Sequence, residues 1–354
     1  MIRIAKPFLG REEEKAVLGV LRSGYIAQGS KVKEFEDKFA EYCGVKYGIG
    51  VSSGTSALIT ALMASGINSG EVITSSFSFI ASANSILMTG AKPVFADIDE
   101  ETFNIDIESL KEKINNNTKA IMPVHLFGQS CDMKAIMEIA EDKNLIVIED
   151  CCQSHGASIN DKKVGSFGIG CFSFYPTKNM TTAEGGMITT NNENINEMAR
   201  MIRHHGSKEI YKHDILGYNF RMTDIEGAIG VEQIKKLEKF IKKRIKNAKY
   251  LSKNLDNLKI PKSRKGYRHV YNIYSVKTDK NRDEIVRKIR EEGVEAGIYY
   301  PLPIYKQNIY RELGYKDELK NVENVCKEIF SLPVLPDLKK EELKKIVEVV
   351  NSIC

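Results

Sequence analysis

The 354-residue chain lacks most short signatures that would name a chemistry outright. Its seven cysteines (43, 131, 151, 152, 171, 326, 354) form no C-x-x-C pair and no zinc-type spacing. Their odd number and scatter fit reduced thiols in a large intracellular protein rather than a disulfide scaffold. The six histidines show no H-E-x-x-H pattern, so no metal site is expected. Neither a Walker A loop nor G-x-G-x-x-G is present, which argues against a nucleoside triphosphate or a dinucleotide. No apolar run approaches the ~18 residues that span a bilayer. The opening Met1-Ile-Arg-Ile-Ala-Lys-Pro-Phe has no signal-peptide core, so the expected location is cytoplasmic. The formal charge of +5 is small for this length. The densest basic stretch, Lys235 to Lys253, keeps Leu237, Phe240 and Ile241 on one helical face, which reads as a solvated helix and not a nucleic-acid surface. No internal repeat or low-complexity linker is visible.

What is present is an alternation. Apolar runs at Tyr47–Val51, Glu71–Thr74, Pro93–Ala96, Ala120–Val124, Leu145–Ile148, Cys171–Phe174 and Met187–Thr190 predict seven strands. Helical patterns such as Val32–Tyr42 and Met133–Asp142 separate them. Runs buried on both faces and separated by helices predict a largely parallel α/β sheet, whose ligands gather outside the strands' carboxyl ends. After about Phe240 the pattern changes to charged helices, a strand candidate at Val270–Val276 and the loop Tyr300-Pro-Leu-Pro303. Length and pattern together predict a large domain over residues 1–240 and a smaller α+β domain over 241–354.

Four features carry chemistry. Lys178 follows the apolar stretch Cys171–Tyr175 and sits in a polar, glycine-rich segment ending Glu184-Gly-Gly186. A lysine amine held out of bulk water at a strand end is suited to form a Schiff base with a carbonyl. Val51-Ser-Ser-Gly-Thr-Ser-Ala-Leu58 links a strand to a helix. Gly54 permits close backbone approach, and Thr55 and Ser56 add hydroxyls beside free helix amides, as a phosphate would require. Taken alone, the same residues read more readily as an ordinary N-cap formed by Ser53 or Thr55. Leu145-Ile-Val-Ile-Glu-Asp150 is an apolar strand ending in acids. Asp150 by itself fits a magnesium ligand, a helix cap or a partner for a protonated ring nitrogen; pairing with Lys178 favours the last, because a pyridine ring needs an opposed acid to stay an electron sink. In Ser75-Ser-Phe77-Ser-Phe79 an aromatic just after a strand fits stacking on a flat ring or a place in the core.

Ordered motifs through nearly the whole chain then resemble one family. They run from Ser23-Gly-Tyr-Ile-Ala-Gln-Gly29 through Ser53-Gly-Thr, His125-Leu-Phe-Gly128, Glu149-Asp-Cys-Cys-Gln153, Phe172-Ser-Phe-Tyr-Pro-Thr-Lys178, Glu184-Gly-Gly and Gly217-Tyr-Asn219-Phe-Arg-Met-Thr-Asp224 to Ser331-Leu-Pro-Val-Leu-Pro. The chain is similar to the pyridoxal 5'-phosphate (PLP)-dependent nucleotide-sugar aminotransferases of DegT/StrS type, within the aspartate-aminotransferase fold type I. By that resemblance Lys178 carries the cofactor, and freed Lys178 moves the proton. Asp150 pairs with the ring nitrogen, Gln153 binds the ring hydroxyl oxygen and Phe79 stacks on the ring. Gly54, Thr55, Ser56 and Ser173 hold the phosphate. Asn219 reaches the same phosphate from a second subunit, which implies a homodimer with shared active sites. Outside the family context Asn219 reads as a helix-flanking cap. The implied reaction moves an amino group, usually from L-glutamate, to the keto group of a nucleotide-linked deoxysugar for polysaccharide or glycan biosynthesis.

Two rivals differ in class. Sugar dehydratases on the same fold carry His where this chain has Lys178. A silent regulatory member would have no need for Lys178, Asp150 and Gln153 together. One departure falls in the loop after Tyr300, where many relatives place a histidine and this chain has Tyr305. That loop helps form the sugar pocket in the family, so the sugar's identity rests on it.

Overall fold

A computed structural model of the protein describes residues 1–209 and 211–354. The apolar runs form strands β1 (Tyr47–Val51), β2 (Glu71–Ser75), β3 (Lys92–Ala96), β4 (Thr118–Met122), β5 (Ile146–Asp150), β6 (Ile169–Ser173) and β7 (Gly186–Thr190). They make one sheet in the order β1-β7-β6-β5-β4-β2-β3. The neighbours from β6 to β3 pair in parallel, and β7 alone runs antiparallel to both its neighbours. Strand alternation divides the side chains between two cores. Val72, Ala120, Met122 and Ile148 pack with Leu58 and Leu62 of helix α2 (Gly54–Ala64), following α1 (Ser30–Cys43). Ile73, Ile121 and Val147 pack on the opposite side with Met133 and Ile136 of α4 (Met133–Asp142), which follows α3 (Ala81–Met88). Helices therefore cover both faces, as a parallel sheet demands.

β4 ends two residues earlier than its apolar run. Beyond Met122 the pairing survives only as an isolated bridge between Val124 and Asp150. The strand expected at Val270–Val276 is observed as β8 (Tyr274–Lys277), antiparallel to β9 (Ile329–Leu332). Val270 and Ile273 instead donate their N–H groups to Gly128 and Phe127 at 2.9 and 3.4 Å, which ties this stretch to the loop after β4.

Helix α5 (Asp224–Asn254) joins two cores. Thr223 caps it, with Glu226 closing a capping box. Leu237 and Ile241 pack among Phe35, Phe39 and Phe172, whereas Ala248 and Leu251 pack with Tyr274, Val276 and Phe330. No helix of the described residues is long and apolar enough to cross a membrane.

Candidate active site

The carboxyl ends of β1, β2, β5 and β6 lie along one edge of the sheet, and the segments that follow them surround a cavity of about 560 Å³. Gly54, Thr55, Phe79, Asp150, Gln153, Ser173 and Lys178 all line it. The close approach at its floor depends on glycine. A Cβ on Gly54 would lie 2.6 Å from Ser173 Cβ and 2.9 Å from Cys152 Sγ, and one on Gly186 would lie 2.2 Å from the Ser53 carbonyl oxygen. Side chains at either position would push β6 and β7 off the start of α2. That start is capped by Ser53, whose hydroxyl accepts the Ser56 N–H at 3.0 Å while Ser56 Oγ accepts the Ser53 N–H at 2.9 Å. The cap reading and the anion reading are thus divided between neighbours. Ser53 and Ser56 cap the helix, and Gly54 and Thr55 face the cavity. Ser56 is buried and outside the cavity lining.

Asp150 ends β5 with its carboxylate held on two sides. Ser82 Oγ donates to Oδ2 at 2.7 Å and the Cys152 N–H donates to Oδ1 at 3.1 Å. Ser78 Oγ, 2.8 Å from Ser82 Oγ, extends this hydroxyl chain. Cys152 lines the cavity as a neutral thiol, pushed up by burial and by the Asp150 carboxylate. Lys178 lies in the turn after β6, half-buried, and is the only cationic side chain among the described residues of the lining. Of the two aromatics after β2, Phe77 is core, packed edge-on against Phe127 at 6.1 Å. Phe79 is 58% exposed and forms part of the cavity wall.

One placement differs from the sequence reading of the later loops. Tyr305 does not enter the cavity. It is 1% exposed in the core beside Phe95, its hydroxyl donating to Glu323 Oε1 at 2.9 Å and accepting the Leu319 N–H at 3.2 Å. The aromatic residues this loop brings to the cavity are Tyr299 and Tyr300. Asn219 is exposed, bridged to His204 and outside this cavity, and the cap of α5 is Thr223. Ser78, Ser82, Cys152 and Tyr300 are among the cavity residues that pattern reading passed over. A hydroxyl every fourth residue, Ser78 then Ser82, is the one local hint among them.

Directly behind Asp150, His125, Glu149 and Cys151 bring potential ligand atoms within 4.8 Å of one another. Glu149 is already fully engaged. Phe167 and Gly168 donate backbone N–H groups to Oε1 at 2.9 and 2.8 Å, and Gly165 donates to Oε2 at 2.9 Å. His125 Nδ1 accepts the Cys131 N–H, which leaves Nε2 protonated toward Glu149 Oε2 at 3.1 Å. Burial and Glu149 push the Cys151 thiol well up. Saturated acceptors and a protonated thiol make this trio a hydrogen-bonded support for β5.

The chemistry of the donor set fits PLP. The cavity offers one lysine, one strand-end acid, an open aromatic face and a helix N-terminus flanked by Thr55 and Ser173. The missing Cβ of Gly54 lets Ser173 and Cys152 approach the helix start closely, which places the Ser173 hydroxyl beside the N-terminus where an oxyanion would be held.

Comparison with known proteins agrees in extent and kind. Residues 7–351 match the DegT/DnrJ/EryC1/StrS aminotransferase family. A Geobacillus stearothermophilus protein named pleiotropic regulatory protein is 42% identical, over 93% of this chain and 91% of its own. The dTDP-3-amino-3,6-dideoxy-alpha-D-galactopyranose transaminase of Aneurinibacillus thermoaerophilus is 39% identical, over 96% and 95%. The crystal structure of NtdA from Bacillus subtilis, with bound cofactor PMP, superposes with a TM-score of 0.91 at 30% identity, covering all of this chain and 86% of that one.

Proposed function

Since the chain belongs to the DegT/DnrJ/EryC1/StrS aminotransferase family, we propose that it uses pyridoxal phosphate to transfer an amino group from an amino acid, glutamate by preference, to the keto group of a nucleotide-linked deoxysugar. The observation that carries this reading is the convergence of Lys178 and Asp150 on one cavity beside the start of α2. Bound there, the cofactor supplies an aldehyde conjugated to an electron-withdrawing ring. The Lys178 amine would hold the cofactor's aldehyde and, when free, would take up and return the proton at the donor's α-carbon. The Asp150 carboxylate, held by Ser82 and the Cys152 N–H, keeps the ring nitrogen protonated. Gly54, Thr55 and Ser173 bind the phosphate, with Ser56 supporting them through the cap of α2. Phe79 covers one ring face and Gln153 serves the ring hydroxyl oxygen. Residues 1–240 hold the cofactor in this reading, and residues 241–354 close over it with Asn272, Leu332 and Val334.

One cation on the lining is few for a phosphate and the acidic groups of both substrates. With so few cations the phosphate depends on neutral N–H and O–H donors, and in a homodimer the side-chain amide of Asn219 from a second copy would add one. Mixing Lys178→Ala with Asn219→Ala protein under subunit exchange tests this: if the two residues serve one site from different chains, activity recovers towards half of wild type per mixed dimer. No recovery despite exchange defeats the shared site.

The relative named for pleiotropic regulation gives a regulatory role some standing, and one experiment separates the two. Purified protein should be yellow, bleach on addition of glutamate, and after borohydride reduction carry the cofactor on the peptide containing Lys178. Label on another lysine, or no bleaching, would sink the aminotransferase reading.

A further inference from the structure

Tyr300 meets the cavity through a contact whose polarity can be worked out. Gln153 Oε1 accepts the Phe127 N–H at 3.1 Å, which identifies the other end of the amide as its nitrogen. Gln153 Nε2 therefore donates to Tyr300 Oη at 3.0 Å. The phenol oxygen is the acceptor in that bond, so its own O–H remains to be given elsewhere. Among the described residues the Tyr300 hydroxyl makes no hydrogen bond other than the one it accepts from Gln153, and Tyr300 lines the same cavity as Asp150 and Lys178. The ring is held in place, edge-on to the buried Phe77 at 5.9 Å and tilted against Phe79 at 6.5 Å. Burial also raises the phenol's pKa, so it stays a donor through the neutral range. A half-buried donor that lines the cavity, is fixed in orientation and is left without a partner is aimed at a ligand.

We propose that Tyr300 is a cofactor-contact residue that donates its phenolic O–H to the ring hydroxyl oxygen of bound pyridoxal phosphate, the same oxygen that Gln153 serves. This rests on the cofactor reading above. Its consequence is electronic. That ring oxygen lies beside the aldehyde carbon held by Lys178, and its negative charge favours a proton on the nitrogen joining the two. A second donor draws off part of that charge and loosens the proton. The contact also ties the loop at residue 300 to the strand-end segment at residue 153, so the electronics of the site depend on the two parts of the chain being closed together.

Tyr300→Phe keeps the ring and its packing and removes only the donor. Wild type and variant, both loaded with pyridoxal phosphate, are titrated by visible absorption from acid to alkaline pH. The midpoint of the pH-dependent band should rise by about one unit in the variant, as expected for one lost hydrogen bond to the charged form. Retention of a visible band reports that the variant has folded and bound the cofactor. A midpoint within ~0.3 unit of wild type overturns the proposal, whatever happens to affinity, because a purely structural tyrosine would not move it. Absence of any such band in the wild type fails the cofactor reading itself, and this inference falls with it.

Discussion

Glu149 and Asp150 are consecutive acids of one strand, both buried, and they end on opposite sides of the sheet. Behind the sheet, Glu149 receives three backbone N–H groups and an imidazole, so both carboxylate oxygens are saturated. On the cavity side Asp150 receives one hydroxyl and one N–H, one per oxygen, and its remaining lone pairs look into the cavity. The chemical group is the same and burial is nearly the same. What separates the two acids here is how many lone pairs the fold leaves free. The histidines repeat the contrast. His125 has both ring nitrogens engaged, whereas both nitrogens of His155 are without partners among the described residues, within an aromatic nest of Phe39, Phe172 and Phe174.

The contrast breaks most sharply at Glu149. Glu149→Ala strands three backbone donors and the imidazole in the interior, and should destabilise the fold by about 3–5 kcal/mol, read as a lower denaturant midpoint. A loss under ~1 kcal/mol would mean that the loop at 165–168 does not depend on it. Asp150→Asn preserves shape and most hydrogen bonding but removes the charge facing the cavity. Its stability should stay within ~1 kcal/mol of wild type while kcat falls on the order of 10²-fold or more. Near-normal rates for the glutamate half-reaction would remove Asp150 from its role. Ser82→Ala tests the hydroxyl that sets Asp150's angle. A loss of roughly 1 kcal/mol, or about fivefold in kcat, is expected, with Ser82→Thr restoring much of it. Equal damage in the Thr variant would point to packing instead.

His155 gives an effect of the same order as Ser82, with a definite sign. Burial first, and the Lys178 charge second, push its pKa down from 6.5 to about 3. The folded protein therefore holds it neutral while the unfolded chain takes up a proton below pH ~6.5. Its contribution to stability is complete above that pH and is lost progressively as pH falls towards 3. At pH 5.5 the loss amounts to about 1.4 kcal/mol. Comparing unfolding midpoints at pH 7.5 and 5.5 in wild type and His155→Leu isolates it. An acid limb unchanged by the substitution would show that other groups govern it.

Much of this architecture was readable from local pattern. The seven strands appear within one or two residues of their apolar runs, because a strand buried on both faces cannot tolerate polar residues at either parity. Gly54, Asp150, Ser173 and Lys178 each follow or end such a run, so a parallel sheet delivers them to one edge without further instruction. Residues whose placement depends on distant partners were not readable. Ser82 meets Asp150 across 68 residues of chain, and Tyr300 meets Gln153 across 147. Tyr305 belongs to the same proline-rich loop as Tyr300, yet its hydroxyl is taken by Glu323 and its ring by Phe95. Proximity in sequence could not tell the two tyrosines apart.

The sequence by itself determined the α/β class, the family and the strand-end positions from which chemistry can be done. Those depend on alternation, on glycine where no Cβ fits and on motif order, all properties of short segments. Tertiary structure decided which polar atoms remain unpaired: Asp150 open and Glu149 closed, Phe79 bare and Phe77 covered, Tyr300 with a proton to give and Tyr305 without. Hydrogen-bond saturation is a sum over every neighbour a buried group meets, and those neighbours come from parts of the chain that local pattern does not connect.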